Sequence, residues 1–264
     1  MPWITEPESE YFTSQSWGSS DARKALISPR CAMDYRTGVA KATSSGFAMG
    51  TAWDIFHTGD ATSLAIRPAD LDGRTKEGKA WASENAGKVT VTHEEWETIK
   101  RMGERMPFNC IEATATARAN KQCQLVGRTD MDGVSVQCRV DLLSGGVLYD
   151  LKTTSKPIEQ FAKAAFGYGY HVQAGWYRMV AHAITGKDWP FRFIVTETVA
   201  PWRTVEFIPD SDFTAYGDAK AREALAIIAE CTRKNEWPET ISPTCTLTLP
   251  KWAKTGGDQP AFED

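Results

Sequence analysis

Residues 138–154 read CRVDLLSGGVLYDLKTT. Two alternating runs flank Gly145-Gly146, the pattern of a β-hairpin closed by a two-residue turn. Such a turn sets the register. Ser144 then faces Val147, and Asp141 directly faces Asp150. Side chains of opposed residues point to the same side of a sheet, with Cβ atoms about 4.5–5.5 Å apart. Lys152 stands two residues beyond Asp150 and shares that face. Val140, Leu142, Tyr149 and Leu151 form an apolar set for the other face. Like charges directly opposed destabilise a hairpin, so something must offset Asp141 against Asp150. A shared proton, a divalent cation between hard oxygen ligands, or Lys152 alone would each do so. A surface cluster with Arg139 and Lys152 as salt-bridge partners is an equal alternative. Spacing does not choose among them, and one bulge would shift the pairing.

The rest of the chain sets bounds on the answer. Its 264 residues are 42% hydrophobic and 24% charged, as expected of a soluble globular protein that buries its core without staples. No run approaches the roughly 18 apolar residues that cross a bilayer. The segment MPWITEPESEYF is acidic and lacks the layout of a secretory signal, so a cytoplasmic location is expected. The net charge of −4 argues against a general basic coat for nucleic acid but leaves room for a local basic channel. Cys31, Cys110, Cys123, Cys138, Cys231 and Cys245 form no CxxC pair and no zinc spacing. Reduced, mostly buried thiols are expected rather than an iron–sulfur cluster.

Periodicity predicts an irregular arm over 1–18 and a helix from 19 to about Tyr35, kinked or interrupted at Pro29. A second helix over 44–60 buries Phe47, Trp53 and Phe56 and leaves Asp54 and His57 one turn apart on a shared face. Further helices begin near Glu77 and at the Thr-capped THEEWETIKRM. Residues 121–154 read as a β-meander. Helical spacing returns over 157–186, broken at GYG (167–169). Paired strands follow at 191–199 and 202–208, then a capped helix over 210–237 and an extended tail over 238–264. This order predicts one α/β domain over 1–264, mostly helical over 19–119, with a core over 120–237.

Asp141 followed by Asp150-Leu151-Lys152 resembles the PD-(D/E)xK pattern of restriction-endonuclease-like nucleases. The flanks resemble the nuclease domain of RecE-type exonucleases (exodeoxyribonuclease VIII): YDLKTTSKPIEQF, YGYHVQAGWY, GRTKEGKAW (73–81), GTAWD (50–54), EWP (236–238) and LTLPKWAK (247–254). Together these motifs span 19–254. The resemblance implies a restriction-endonuclease-like mixed sheet flanked by helices. It also implies a Mg²⁺-dependent enzyme, with Mn²⁺ as a candidate substitute, that degrades one strand of linear duplex DNA from its 5′ end. Its expected partners are double-stranded DNA ends, a RecT-like single-strand annealing protein, and further copies of itself in a ring around DNA. No membrane association is expected. A structure-specific endonuclease, or a DNA-binding recombination scaffold with weakened catalysis, is the alternative.

The resemblance also implies roles. Asp141, Asp150 and the Leu151 carbonyl would hold the metal, and Lys152 would orient the attacking water. Gln173 and Tyr177 match a QxxxY element, four apart on one helix face. His171 reads as a supporting histidine. The family has a histidine ligand where this chain has Asp54, and His57 is a possible substitute. It has a glutamate where a rough alignment places Gln122, which keeps the shape and loses the charge. Arg74, Lys76, Lys79 and Arg139 are candidates for phosphate contacts. Ser20 and Arg23 are candidates for gripping a 5′-phosphate at a helix start. Trp53 and Trp176 lie nearest the expected site among the tryptophans.

Overall fold

A computed structural model describes residues 3–38, 46–59 and 61–249. The expected hairpin is the middle of a five-stranded sheet, ordered β3 (Cys123–Met131), β4 (Val134–Ser144), β5 (Val147–Thr154), β6 (Phe191–Glu197) and β7 (Thr204–Phe207), after two earlier strands. Gly145 and Gly146 both take positive φ, 56° and 78°, which a two-residue hairpin turn demands. The register is the expected one: Ser144↔Val147, Leu143↔Leu148 and Leu142↔Tyr149. β5 and β6 are parallel, so the chain must cross over between them. It does so through α8 (Phe161–Gly167) and α9 (Tyr170–Thr185), broken by Gly169 in the left-handed region at the expected GYG.

Helices cover both faces of the sheet, and two buried clusters record the two layers. On one side Val136, Cys138, Leu148, Phe193 and Val195 pack with Trp176 and Val180 of α9 and with Leu225 and Ile228 of α10 (Ser211–Lys234). On the other, Leu142, Tyr149, Leu151 and Ile194 meet three helices of the N-terminal half. These are α4 (Gly46–Thr58), α6 (His93–Glu104) and α7 (Phe108–Ala119). The fold is a mixed five-stranded sheet between helical layers, as the sequence predicts. Burial of each leucine-sized side chain contributes about 1.5–3 kcal/mol.

Local chemistry sets the element ends. The helix expected from residue 19 is two helices, α2 (Ser19–Ala25) and α3 (Pro29–Arg36). Ser28 caps the second by accepting from the Cys31 amide, and Pro29 takes the first turn, where its missing N–H is harmless. Thr75 caps α5 (Lys76–Glu84), and Thr92 with Glu95 forms a capping box on α6. The irregular arm contains a short helix, α1 (Glu8–Thr13). β1 (Leu64–Arg67) and β2 (Val89–Thr92) form a small parallel pair that the sequence reading omits, being too short for alternation to show. α4 is described only from Gly46, and the Phe47 side chain, residues 44–45, Asp60 and the tail from Pro250 lie outside the described residues. LTLPKWAK therefore falls mostly outside them. All six cysteines are free; Cys110, Cys138 and Cys231 are buried, whereas Cys245 is exposed and departs from the expected burial. No helix among the described residues is long and apolar enough to cross a membrane.

Candidate active site

The pleat of β5 brings Asp150 and Lys152 to one face. Asp150 is 2% exposed, so the surface-cluster alternative fails. Its Oδ1 accepts a hydrogen bond from Gln173 Nε2 at 2.5 Å. The Lys152 ammonium forms an ion pair with Oδ2. The ammonium also stands 4.9 Å from the Tyr170 ring centre, whose face favours a cation.

Asp141 lies at a break in the sheet. The β4–β5 ladder stops at Leu142↔Tyr149, and the expected Asp141–Asp150 ladder pair does not form. Instead Asp141 Oδ2 accepts the Leu151 amide at 2.7 Å. On the other flank Gln124, which the register would place opposite Asp141, takes φ 53° and forms no ladder pair with it. The strand re-aims here. Val140 therefore belongs to the first core cluster, not to the set of Leu142, Tyr149 and Leu151 as expected.

Asp54 of α4 completes the acidic group. It lines one cavity of about 1640 Å³ with Asp141, Asp150, Leu151, Lys152, Gln173, Tyr177, Ser20, Arg23 and Arg139. Burial, then the Asp150 charge, pushes the Asp141 carboxyl up to about 7. Burial and then Asp141 raise Asp54 well above the carboxylate range. Burial lowers Lys152, but Asp150 and Asp141 outweigh it and hold the ammonium above its ordinary value. Three carboxylates thus crowd one lysine, an arrangement that favours a further positive charge. Hard oxygen donors gathered on one cavity suit a small divalent cation. Among the described residues no three such side chains already converge on one point. Gln173, Lys152 and the Leu151 amide engage the oxygens instead.

Several candidates lie elsewhere. His57 is 3% exposed, packs edge-on to Trp53 at 4.1 Å and does not line the cavity, so it does not share the face of Asp54. Gln122 spends its backbone on β4, accepting from the Leu143 amide at 2.8 Å, and its side chain is not at the cavity; Gln124 is. Arg74, Lys76 and Lys79 are exposed and away from the cavity, and Arg74 pairs with Asp72 at 2.9 Å. Trp53 and Trp176 are fully buried core residues. Arg139 lines the cavity but is drawn to Glu8 at 3.6 Å. Arg23 donates to Ser20 Oγ and to the Tyr168 carbonyl, each at 3.0 Å. Tyr170 and Gln124 are cavity residues that sequence reasoning missed. Tyr170 was findable, three residues before Gln173 on the same helix face; Gln124 depends on the ladder break.

The fold has a solved counterpart. The crystal structure of a "Putative exonuclease" from Eubacterium rectale superposes with a TM-score of 0.61 at 12% identity, covering 97% of this chain and 100% of that one. No curated protein matches the chain. A family model described as a PDDEXK-like domain of unknown function (DUF3799) matches residues 20–248, which include Asp54, Asp141 and Asp150. The Asp141, Asp150-Leu151-Lys152 pattern and its sheet accordingly place the chain in that PDDEXK-like family.

Proposed function

We propose that this chain is a divalent-metal-dependent exodeoxyribonuclease that degrades one strand of linear duplex DNA from its 5′ end. The observation that carries the reading is the convergence of Asp54, Asp141, Asp150, Lys152 and Gln173 on one cavity. The narrower likeness to RecE-type enzymes rests on the quoted motifs.

Asp54, Asp141, Asp150 and the Leu151 carbonyl would hold Mg²⁺, or Mn²⁺ in its place. The bound ion supplies a water of lowered pKa and offsets charge on the phosphate. Asp54 stands where the resembling family has histidine, and its hard oxygens suit Mg²⁺. Gln173 holds the Asp150 carboxylate in place through Oδ1. Lys152 is charged, lies at the cavity wall and is steadied by Asp150 and the Tyr170 ring. From there it orients the attacking water and stabilises charge on the phosphate oxygens. Tyr177, buried and held protonated by burial, backs Gln173 one turn along α9. Ser20 and Arg23, at the cavity edge, receive the 5′-phosphate. A homo-oligomeric ring and a single-strand annealing partner belong to the same reading.

Digestion of linear duplexes bearing different 5′ ends, beside a covalently closed circle, tests this. Loss of linear DNA with Mg²⁺, none with EDTA and an intact circle are expected. Nicking of the circle at a comparable rate, or cleavage unaffected by EDTA, overturns it.

A further inference from the structure

A second groove, of about 560 Å³, adjoins the catalytic cavity, and Ser20 and Arg23 line both. Its wall is the turn between α8 and α9. Two large rings stand there in solvent, Phe166 at 59% and Tyr168 at 62% exposure, and a third, Tyr216 of neighbouring α10 at 45%, stands just outside the groove beside Phe166. They are held rather than loose. Phe166 stacks on His171 at 5.0 Å and beside Tyr216 at 6.1 Å. Tyr168 contacts Tyr170 at 5.7 Å, and Tyr170 lies under the Lys152 ammonium. A line of aromatic faces therefore runs from the proposed catalytic lysine to the surface. Arg23, Lys24 and Lys220 flank it. Lys220 shares its charge with Glu223 at 2.7 Å.

We propose that this groove is a platform for the unpaired bases of the DNA strand whose phosphate enters the cavity. Phe166, Tyr168 and Tyr216 take the bases, and Arg23, Lys24 and Lys220 take the phosphates. The inference rests on the exonuclease reading for the identity of the strand. Exposed rings interleaved with cations are the chemistry that binds single strands without regard to sequence. Continuity through Arg23 supplies the route, since one guanidinium borders both spaces and its anchor is the Tyr168 carbonyl. His171, kept below its ordinary pKa by burial and then by Lys220, is a neutral stacking partner for Phe166.

Fluorescence anisotropy of the full chain in EDTA tests the platform, using a 5′-phosphorylated oligo(dT) and an abasic strand of equal length. Wild type is expected to bind oligo(dT) roughly a hundredfold more tightly than the abasic strand. Tyr168→Ala and Phe166→Ala should each erase about a tenfold share of that preference without weakening abasic binding, and Tyr168→Phe should retain it. Equal binding of both strands by wild type, or unchanged oligo(dT) binding in Tyr168→Ala, overturns the proposal. Tyr168→Ala is decisive because that ring is 62% exposed at a helix end, where its loss does not threaten the core. Cleavage of linear duplex with Mg²⁺ is measured in parallel. Base-dependent binding without cleavage sinks the exonuclease reading alone, and cleavage without base dependence sinks the platform alone.

Discussion

Asp141 and His57 carry opposite pH signatures. Burial, then the Arg118 guanidinium, holds the His57 imidazole down at about 3. An unfolded histidine titrates near about 6.5, so between those values the unfolded chain binds a proton that the native chain does not. The stability is present above the unfolded value and is lost as pH falls through the window, by about 1.4 kcal/mol per unit. His57→Phe is expected to flatten that loss between about pH 6 and 4, read as denaturant midpoints. Asp141, raised to about 7, runs the other way. The native chain binds the extra proton between about 3.9 and that value, so stability falls as pH rises through it. Asp141→Asn keeps an acceptor for the Leu151 amide and removes the charge. In EDTA at alkaline pH it should be more stable than wild type by about 1–3 kcal/mol, since partial exposure screens the penalty. Added Mg²⁺ should raise the melting temperature of wild type and leave the variant nearly unmoved. Lys152→Arg keeps a cation but not its geometry, and is expected to lower the cleavage rate at least about a hundredfold with DNA binding retained.

The α9–α10 crossing positions Gln173 and Tyr177. A Cβ on Gly175 would stand 2.2 Å from the Gly217 carbonyl, and one on Gly217 would stand 2.3 Å from the His171 carbonyl. Neither neighbour is a flexible side-chain tip, so the two backbones must part. Gly175→Ala should cost about 1–3 kcal/mol, seen as a lower melting temperature, and should lower cleavage by dragging Gln173 off Asp150. Sequence showed α9 and its break but not this contact, because a glycine inside a helical run does not say what approaches it. The same limit applies at β4. Alternation and the Gly-Gly turn gave the hairpin register through Leu142↔Tyr149. The ladder break at Gln124 and Asp141 accompanies side-chain capture of the Leu151 amide and a positive φ at Gln124, and no period encodes either.

At the scale of the molecule, the fold was legible because its sheet strands alternate and several helices start at polar caps, Ser28, Thr75, Thr92 and Asp210. Asp141 and Asp150 were legible as a spaced motif, and Asp54 through the family resemblance; Glu6, Glu8 and Asp21, which also line the cavity, were not. The placement of basic residues was not, since a surface arginine and a cavity arginine look alike in sequence: Arg74 faces solvent and Arg139 the cavity. The N-terminal arm decides part of this. Ile4 pairs with Val126 of β3, Glu6 with Arg128 at 2.7 Å, Glu8 with Arg139, and the Tyr11 carbonyl with Gln137 Nε2 at 3.1 Å. Its carboxylates neutralise two arginines, Arg128 and the cavity's Arg139. Glu6→Gln combined with Glu8→Gln is expected to tighten duplex binding about two- to fivefold at low salt, with the gain fading as salt rises.

The arm has a practical outcome for anyone who handles the protein. Residues 5–9 and 11–16 line one bank of the cavity, so a peptide fused ahead of the chain joins it within a few residues of that bank. An affinity tag placed there would crowd incoming substrate, and a histidine tag would also carry chelating imidazoles close to the acidic cluster. Assays of turnover or metal uptake should use a version whose leading tag has been cut away.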